Sequence, residues 1–287
     1  MTIKEVREKI QKRLKKSGIE DFEYEAWALL EWKLGIGRAE YFMDPDRVIP
    51  DEAWEDLNAV LREREQRVPL QYLMGSCEFM GYSFDVDERV LIPRQDTECL
   101  VELAVEKIRE REEEHTCRVL DLCTGSGCIL LTILKEASVS GVGTDISPAA
   151  LRMAELNRKR LKAKAGWIES DLFEKVGGRF DMILSNPPYI AAGVIPELDP
   201  EVRDHEPRQA LDGGEDGLDF YRRIVREAPE YLKPGGWLCL EIGYDQGESL
   251  RSLLREAGFS SVEIIKDLAG LDLVAAGCLG PAPDQKE

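Results

Sequence analysis

The chain has 287 residues, a formal net charge of −18 and a pI near 4.7, which allows one large domain beside a small one. So acidic a chain has little basic surface to spare for a phosphate backbone, which weighs against a nucleic-acid substrate. It has no long apolar run, a charge-rich start, and seven cysteines with no paired zinc spacing, so a cytoplasmic protein without membrane span, secretory signal, disulfide or metal is expected.

Apolar residues recur at helical spacing as Ile3, Val6, Ile10 and Leu14, opposite a basic face from Lys4 to Lys16, and Gly18 is the stop signal. A second helix is expected over about 22–34, with Ala26, Trp27, Leu30 and Leu34 on one side. A short third follows near 38–43. Asp51 is expected to cap a fourth that carries Trp54, Leu57, Val60 and Leu61 and stops before Pro69. Residues 1–75 thus read as a small helical domain that recognises the substrate. The period then changes: Phe79, Tyr82, Phe84 and Val86, followed by Val90-Leu91-Ile92-Pro93, predict a β-hairpin linker over 76–95. Asp96 or Thr97 starts a helix to about Arg111, whose acidic end at 112–114 reads as solvated.

From Arg118 strands and helices alternate to the end, the pattern of a parallel α/β sheet, so residues 96–287 read as the second domain. Strands are expected at 118–122, 140–145, 165–169, 180–185 and 237–242, with two more near 261–266 and 272–279. Helices are expected near 127–137, 148–162, 217–232 and 246–257.

The tips of these strands carry the chemistry. After Asp121, the first strand runs into Cys123-Thr124-Gly125-Ser126-Gly127 ahead of a helix. Glycines admit a ligand close to the backbone, and a helix N-terminus favours an anionic group; the three-glycine dinucleotide spacing is absent. The second strand ends at Asp145, 24 residues past Asp121 (145 − 121), where an acid can accept both hydroxyls of a ribose. The third ends in Ser170-Asp171-Leu172: Asp171 suits an exocyclic amino group and Leu172 suits the face of an adenine. Taken singly these acids have a plainer reading, since Ser147 or Asp171 could simply cap the next helix. Together the three tips describe an adenosine pocket.

The fourth strand stops at Asn186-Pro187-Pro188-Tyr189. Two prolines fix φ and remove two donors, leaving carbonyls beside one carboxamide and one flat ring. Such a set suits a planar –NH2 on an sp2 carbon, an amide or an aminated base. The stretch from 191 to 217 is long, acidic and proline-bearing, which predicts a substrate-facing loop. Of the two histidines, His115 follows the acidic helix end, and His205 reads as holding the long loop.

The order Asp121-x-x-Thr124-Gly125-Ser126-Gly127, Asp145, Asp171 and Asn186-Pro187-Pro188-Tyr189 resembles the S-adenosylmethionine-dependent class I methyltransferases. More narrowly, the chain resembles the HemK/PrmC glutamine methyltransferases over nearly its whole length. The likeness includes Gln71-Tyr72-Leu73-Met74-Gly75, Val90 to Glu98, His205-Glu206-Pro207, Gly213 to Leu218 and Leu240-Glu241-Ile242-Gly243. It implies a Rossmann-like sheet with a helical N-terminal domain. The implied reaction moves the methyl of S-adenosylmethionine, leaving S-adenosylhomocysteine, onto the amide nitrogen of the Gly-Gly-Gln glutamine of peptide-chain release factors. Asp121, Cys123 to Gly127, Asp145, Asp171, Leu172 and Asn186 would then bind the cofactor. Asn186, Pro187, Pro188 and Tyr189 would hold the substrate amide and carry the chemistry. Three positions depart from the pattern: Cys123 for a frequent glycine, Leu172 for an aromatic residue of some relatives, and Leu273 for an arginine. Competing readings are a ribosomal-protein glutamine methyltransferase, an adenine amino methyltransferase acting on nucleic acid, and a non-catalytic adapter that binds the cofactor.

Overall fold

The computed structural model describes residues 1–110, 116–267 and 269–280; the expectations at Arg111, 112–114 and His115 lie outside these. The chain divides into two compact units, Met1–Gly75 with Asp199–His205, and Ser76–Leu198 with Glu206 onward.

The first unit is helical. Helices α1 (Ile3–Lys16), α2 (Phe22–Leu34), α3 (Arg38–Met43), α4 (Asp51–Glu65) and α5 (Leu70–Met74) bury Ile3, Val6, Ile10, Leu14, Leu29, Leu30, Leu57 and Leu61 in one core. Helix α1 starts with a capping box: the Thr2 hydroxyl accepts from Glu5 N, and Thr2 N donates to the Glu5 carboxylate. Asp51 is not a cap, contrary to the expectation above. It is the first helical residue, and Pro50 takes the cap position, its fixed φ suiting the entry. Helix α5 has no counterpart in the sequence reading, because five residues are too few to show a period. Its signals are Pro69 before it and Gly75, in the left-handed region, after it.

The second unit begins with a hairpin, β1 (Ser76–Phe79) and β2 (Tyr82–Asp85), then α6 (Asp96–Arg109). The hairpin is shorter than expected: residues 86–95 contain no strand, and Arg89 to Arg94 run along a cavity instead. Strands β3 (Arg118–Leu122), β4 (Ser140–Asp145), β5 (Ala165–Glu169) and β6 (Phe180–Ser185) alternate with α7 (Cys128–Glu136) and α8 (Pro148–Leu161). The long segment after β6 holds two short 3-10 turns and α9 (Pro200–His205), which is grouped with the first unit. Then come α10 (Asp219–Tyr231), β7 (Leu232–Glu241), α11 (Gly247–Glu256), β8 (Phe259–Lys266) and β9 (Asp272–Leu279).

The sheet order is β5-β4-β3-β6-β7-β9-β8. The expectation of a wholly parallel sheet is corrected at its edge, where β9 is antiparallel to both β7 and β8. Residues 267–271 are all that join β8 to β9, too few for the crossover that parallel pairing requires. Side chains alternate between two cores, one against each face. Val119, Met182, Leu184 and Cys239 enter one core, and Leu120, Ile183, Leu238 and Leu240 the other. Leu273 lies in the first of these cores at 8% exposure. All six residues of β6 are buried, which accounts for its unbroken apolar reading.

From β3 the chain winds outward through β4 and β5, then returns beside β3 as β6 and winds the other way. A crevice opens at such a reversal, beyond the C-terminal ends of the strands. Because Leu122 pairs in register with Ser185, the 123–127 turn and Asn186 emerge side by side.

Candidate active site

A cavity of about 390 Å3 occupies this crevice, within the range usual for small-ligand sites. Its lining comes from four strand tips: Cys123 to Ser126 after β3, Asp145 and Ile146 after β4, Ser170 to Leu172 after β5, and Asn186 with Pro188 after β6. Arg89, Arg94 and Thr97 close one side, and Asp212, Phe220 and Arg223 another.

The turn after β3 is built on Asp121. Its carboxyl is fully buried and accepts the Thr124 hydroxyl at 2.5 Å. Burial pushes its pKa up to about 7, against the lowering effect of the Thr124 hydroxyl. Asp121 therefore shapes the turn and does not line the cavity. Gly127 is not part of the lining either: a Cβ there would meet Trp167 at 3.0 Å and Leu131 at 3.1 Å, so the missing side chain lets α7 pack closely. Gly125 is the position open to a ligand, since an added Cβ would have nothing within 4 Å. Cys123 has φ +56°, and burial drives its thiol far above the ordinary range, which keeps it protonated.

Asp145 accepts from Gly125 N at 2.9 Å with Oδ2 and from Ser147 N at 2.8 Å with Oδ1. Burial raises its pKa, opposed by these backbone N–H groups. With the Ile146 N–H also acting on this carboxylate, its two oxygens together keep acceptor capacity for a further donor. Ser147 caps α8 by accepting from Ala150 N, so capping and Asp145 use different groups. Asp171 pairs with Arg223 at 2.9 Å. Ile146, which the sequence reading passed over, is a large apolar residue left 60% exposed at the cavity. Buried Leu172 also lines it, at φ +48°.

Asn186 donates from Nδ2 to the Thr97 hydroxyl at 3.3 Å. Its Oδ1 has no partner among the described residues. Pro188 lines the cavity, whereas Pro187 and Tyr189 do not. The Tyr189 hydroxyl lies 3.4 Å from Glu241 Oε1, on a residue 1% exposed. Burial pushes Glu241 up to about 7. Thr97 and Glu241, like Ile146, are functional candidates that residue-level reading missed. Their signal is membership of the segments Val90 to Glu98 and Leu240 to Gly243 that carry the family likeness and, for Glu241, a carboxylate closing the apolar run of β7. The backbone of this stretch is held from behind. Gln246 Nε2 donates to Tyr189 O at 3.1 Å while Gln246 Oε1 accepts from Gly243 N at 2.8 Å.

Residues 5–75 match the PrmC N-terminal domain family and residues 98–197 the methyltransferase small domain family. A release factor glutamine methyltransferase of Geobacter sulfurreducens is 41% identical over 281 residues, covering 97% of each chain. One of Clostridium acetobutylicum is 39% identical over 98% of this chain and 99% of its own. Among solved structures, a methyltransferase from Pyrococcus furiosus superposes with a TM-score of 0.52 at 18% identity, covering 70% of this chain and 91% of its own. A 16S rRNA methyltransferase of T. thermophilus also gives 0.52, at 21% identity over 71% and 49% of the two chains. These two share its class I methyltransferase fold. The chain belongs to the release factor glutamine methyltransferase family.

Proposed function

We propose that the protein transfers a methyl group from S-adenosylmethionine to the side-chain amide nitrogen of the glutamine in the Gly-Gly-Gln motif of a peptide-chain release factor. The observation that carries this reading is Asn186 at the cavity edge, its NH2 engaged by Thr97 and its carbonyl oxygen without a partner among the described residues.

The cavity's donor and acceptor set fits the cofactor. Asp145 keeps acceptor capacity for ribose hydroxyls, Ile146 and Leu172 offer apolar surface to an adenine, and Gly125 leaves room beside the backbone. When bound, S-adenosylmethionine supplies a sulfonium methyl, an electrophile. Asp171, which the sequence reading assigned to the adenine amino group, has to share its carboxylate with Arg223.

An amide nitrogen is a poor nucleophile because its lone pair is delocalised. Asn186 Oδ1 and the Pro187 carbonyl would accept its two hydrogens, pyramidalise the nitrogen and direct the lone pair. Tyr189, which lies next to the cavity without lining it, would have to turn its ring toward the substrate to offer a flat face. Positioning of this kind is worth about 7–11 kcal/mol at best. As the new N–C bond forms, the S–C bond breaks, and one amide proton leaves to water. No thiolate assists, since burial holds the Cys123 thiol protonated.

The first unit, residues 1–75, is assigned to recognising the protein substrate, and the reaction to the cytoplasm. The net charge of −18 supports a protein partner over nucleic acid. Incubation of the full chain with labelled S-adenosylmethionine and purified release factor, ribosomal proteins or DNA tests the reading. Label is expected on the release factor glutamine alone. Label on DNA or ribosomal protein and none on release factor overturns it.

A further inference from the structure

Of the acids at the strand tips, Asp171 is the one that meets a cation among the described residues. Its Oδ1 lies 2.9 Å from Arg223 Nη2; the two side chains are 32% and 36% exposed, and both line the cavity. Arg223 comes from α10, one turn after Phe220, which lines the same wall and packs against the core that holds Leu172. This wall is tied to the neighbouring strand tip. Asp145 pairs in register with Glu169, Ser170 N donates to Asp145 O at 3.0 Å, and Lys175 N donates to Ser170 Oγ at 3.0 Å. A base on a ribose held at Asp145 therefore has the β5 tip and α10 beside it. Asp171 Oδ2 and the remaining N–H groups of Arg223 have no partner among the described residues.

We propose that Arg223 is a cofactor-specificity residue: beside Asp171 it completes an acceptor–donor pair that reads the amino edge of the adenine. That edge has a donor, the N6 amino group, flanked by the ring-nitrogen acceptors N1 and N7. An ionised carboxylate is acceptor-only. Asp171 Oδ2 can take a hydrogen from N6 but has none to give a ring nitrogen. A guanidinium is donor-only and keeps its charge, so Arg223 supplies the missing half. A side-chain carboxamide reads adenine in nucleic acids with the same combination, an acceptor for N6 and a donor for N7. Here two side chains from different elements share the task. The ion pair also occupies Oδ1 and so leaves Oδ2 for the amino group. The inference rests on the reading of the cavity as the S-adenosylmethionine site.

A brace that merely steadied Asp171 would act alike on every ligand that meets the Asp171 carboxylate. A donor to the base acts only on a ligand that still has the ring nitrogen it meets. The 1-deaza and 7-deaza analogues of S-adenosylhomocysteine, in which a C–H replaces one ring nitrogen and N6 is kept, separate these two roles. S-adenosylhomocysteine is a zwitterion without net charge, so the loss of a distant surface cation has little effect on it.

The test is calorimetric titration of the full chain with S-adenosylhomocysteine and the two deaza analogues, in wild type, Arg223→Gln and Arg222→Gln. Arg223→Gln should weaken S-adenosylhomocysteine binding roughly 5- to 20-fold, the lower end for a hydrogen bond from a charged group, because water competes at a partly exposed side chain. With the analogue that lacks the nitrogen Arg223 meets, Arg223→Gln and wild type should bind within about 2-fold of each other. Arg222 lies on the same helix, pairs with Asp216 and Asp219 and does not line the cavity, so Arg222→Gln should bind all three ligands as wild type does. Wild-type affinity for S-adenosylhomocysteine in folded Arg223→Gln overturns the inference. So does an equal loss with all three ligands, which would make Arg223 a brace for Asp171 and no more. If wild type binds none of the three, the reading of the cavity fails and the inference with it, whereas the two preceding outcomes overturn the inference alone.

Discussion

At the residue scale, Asn186 has two chemically distinct ends, and the structure gives each a different neighbour: Thr97 at Nδ2 and the cavity at Oδ1. Asn186→Asp keeps the size, removes the donor to Thr97 and adds a negative charge near where a sulfonium would bind. Turnover should fall at least ~100-fold, about 2.7 kcal/mol of transition-state stabilisation, with cofactor affinity held or improved. Single-turnover methylation beside calorimetric titration reads both quantities, after matched thermal melts exclude a folding defect. Asp145 differs in that its carboxylate already organises the turn through Gly125 N and Ser147 N. Asp145→Ala should weaken S-adenosylmethionine binding by about 1.5–3 kcal/mol, the cost of a charge-assisted hydrogen bond. Wild-type affinity by calorimetry would remove Asp145 from the cofactor site.

At the element scale, the Asn-Pro-Pro-Tyr stretch is a strand end that later parts of the chain press into place. Ile190 N donates to Leu211 O and Gly213 N to Ile190 O, and Gln246 holds the Tyr189 carbonyl. Gly217, at φ +75°, lies so close that an added Cβ would meet Tyr189 O at 2.4 Å. Gly217→Ala brings both backbone strain and a clash. It should lower stability by about 1–3 kcal/mol and cut kcat while S-adenosylmethionine binding is kept. Gly177→Ala is the control, as a Cβ there meets nothing within 4 Å. Equal kcat in the two variants would show that the 213–217 turn does not hold the site.

At the scale of the whole molecule, the segment after Ile190 serves both units. It gives Asp199–His205 to the helical unit and rejoins the other at Glu206, which Arg94 holds at 2.6 Å. Within the helical unit, Arg64 donates to Glu25 at 2.7 and 2.8 Å and to Glu201 at 2.8 Å, and Arg67 pairs with Glu201 as well. His205 Nε2 donates to Gln66 O at 3.1 Å, the holding role expected of it. Burial opposes ionisation of Glu201, but the Arg67 and Arg64 hydrogen bonds outweigh it and lower its pKa. A carboxylate depressed on folding adds stability that is complete above its unfolded pKa and lost as pH falls through the folded one. Glu201→Gln should therefore cost about 1.5–3 kcal/mol at pH 7, with the difference from wild type shrinking as the solution is acidified below about pH 4. Urea denaturation at pH 7 and pH 3.5 checks this; a pH-independent difference would mean that the charge of Glu201 contributes nothing.

The sequence alone was enough for the strands and helices that carry long apolar periods, since burial on a sheet or helix face writes itself into spacing. Strands β3 to β6 fall at the expected residues, and the acids at their tips could be named. The short helix α3 was legible at 38–43, but α5 and α9 were not, because they are set by flanking Pro and Gly and by contacts distant in sequence. The antiparallel edge follows from a five-residue connection whose pairing only the folded sheet reveals. Which polar residues share a site was likewise a tertiary matter. Thr97 and Glu241 are 144 residues apart (241 − 97), and neither period nor composition records that one meets Asn186 and the other Tyr189. The parallel register of β3 and β6 put the 123–127 turn beside Asn186, and the same fold kept Asp121 and Gly127 out of the cavity they help to shape. Local periodicity is a property of one face of one element, whereas a site is where several elements end.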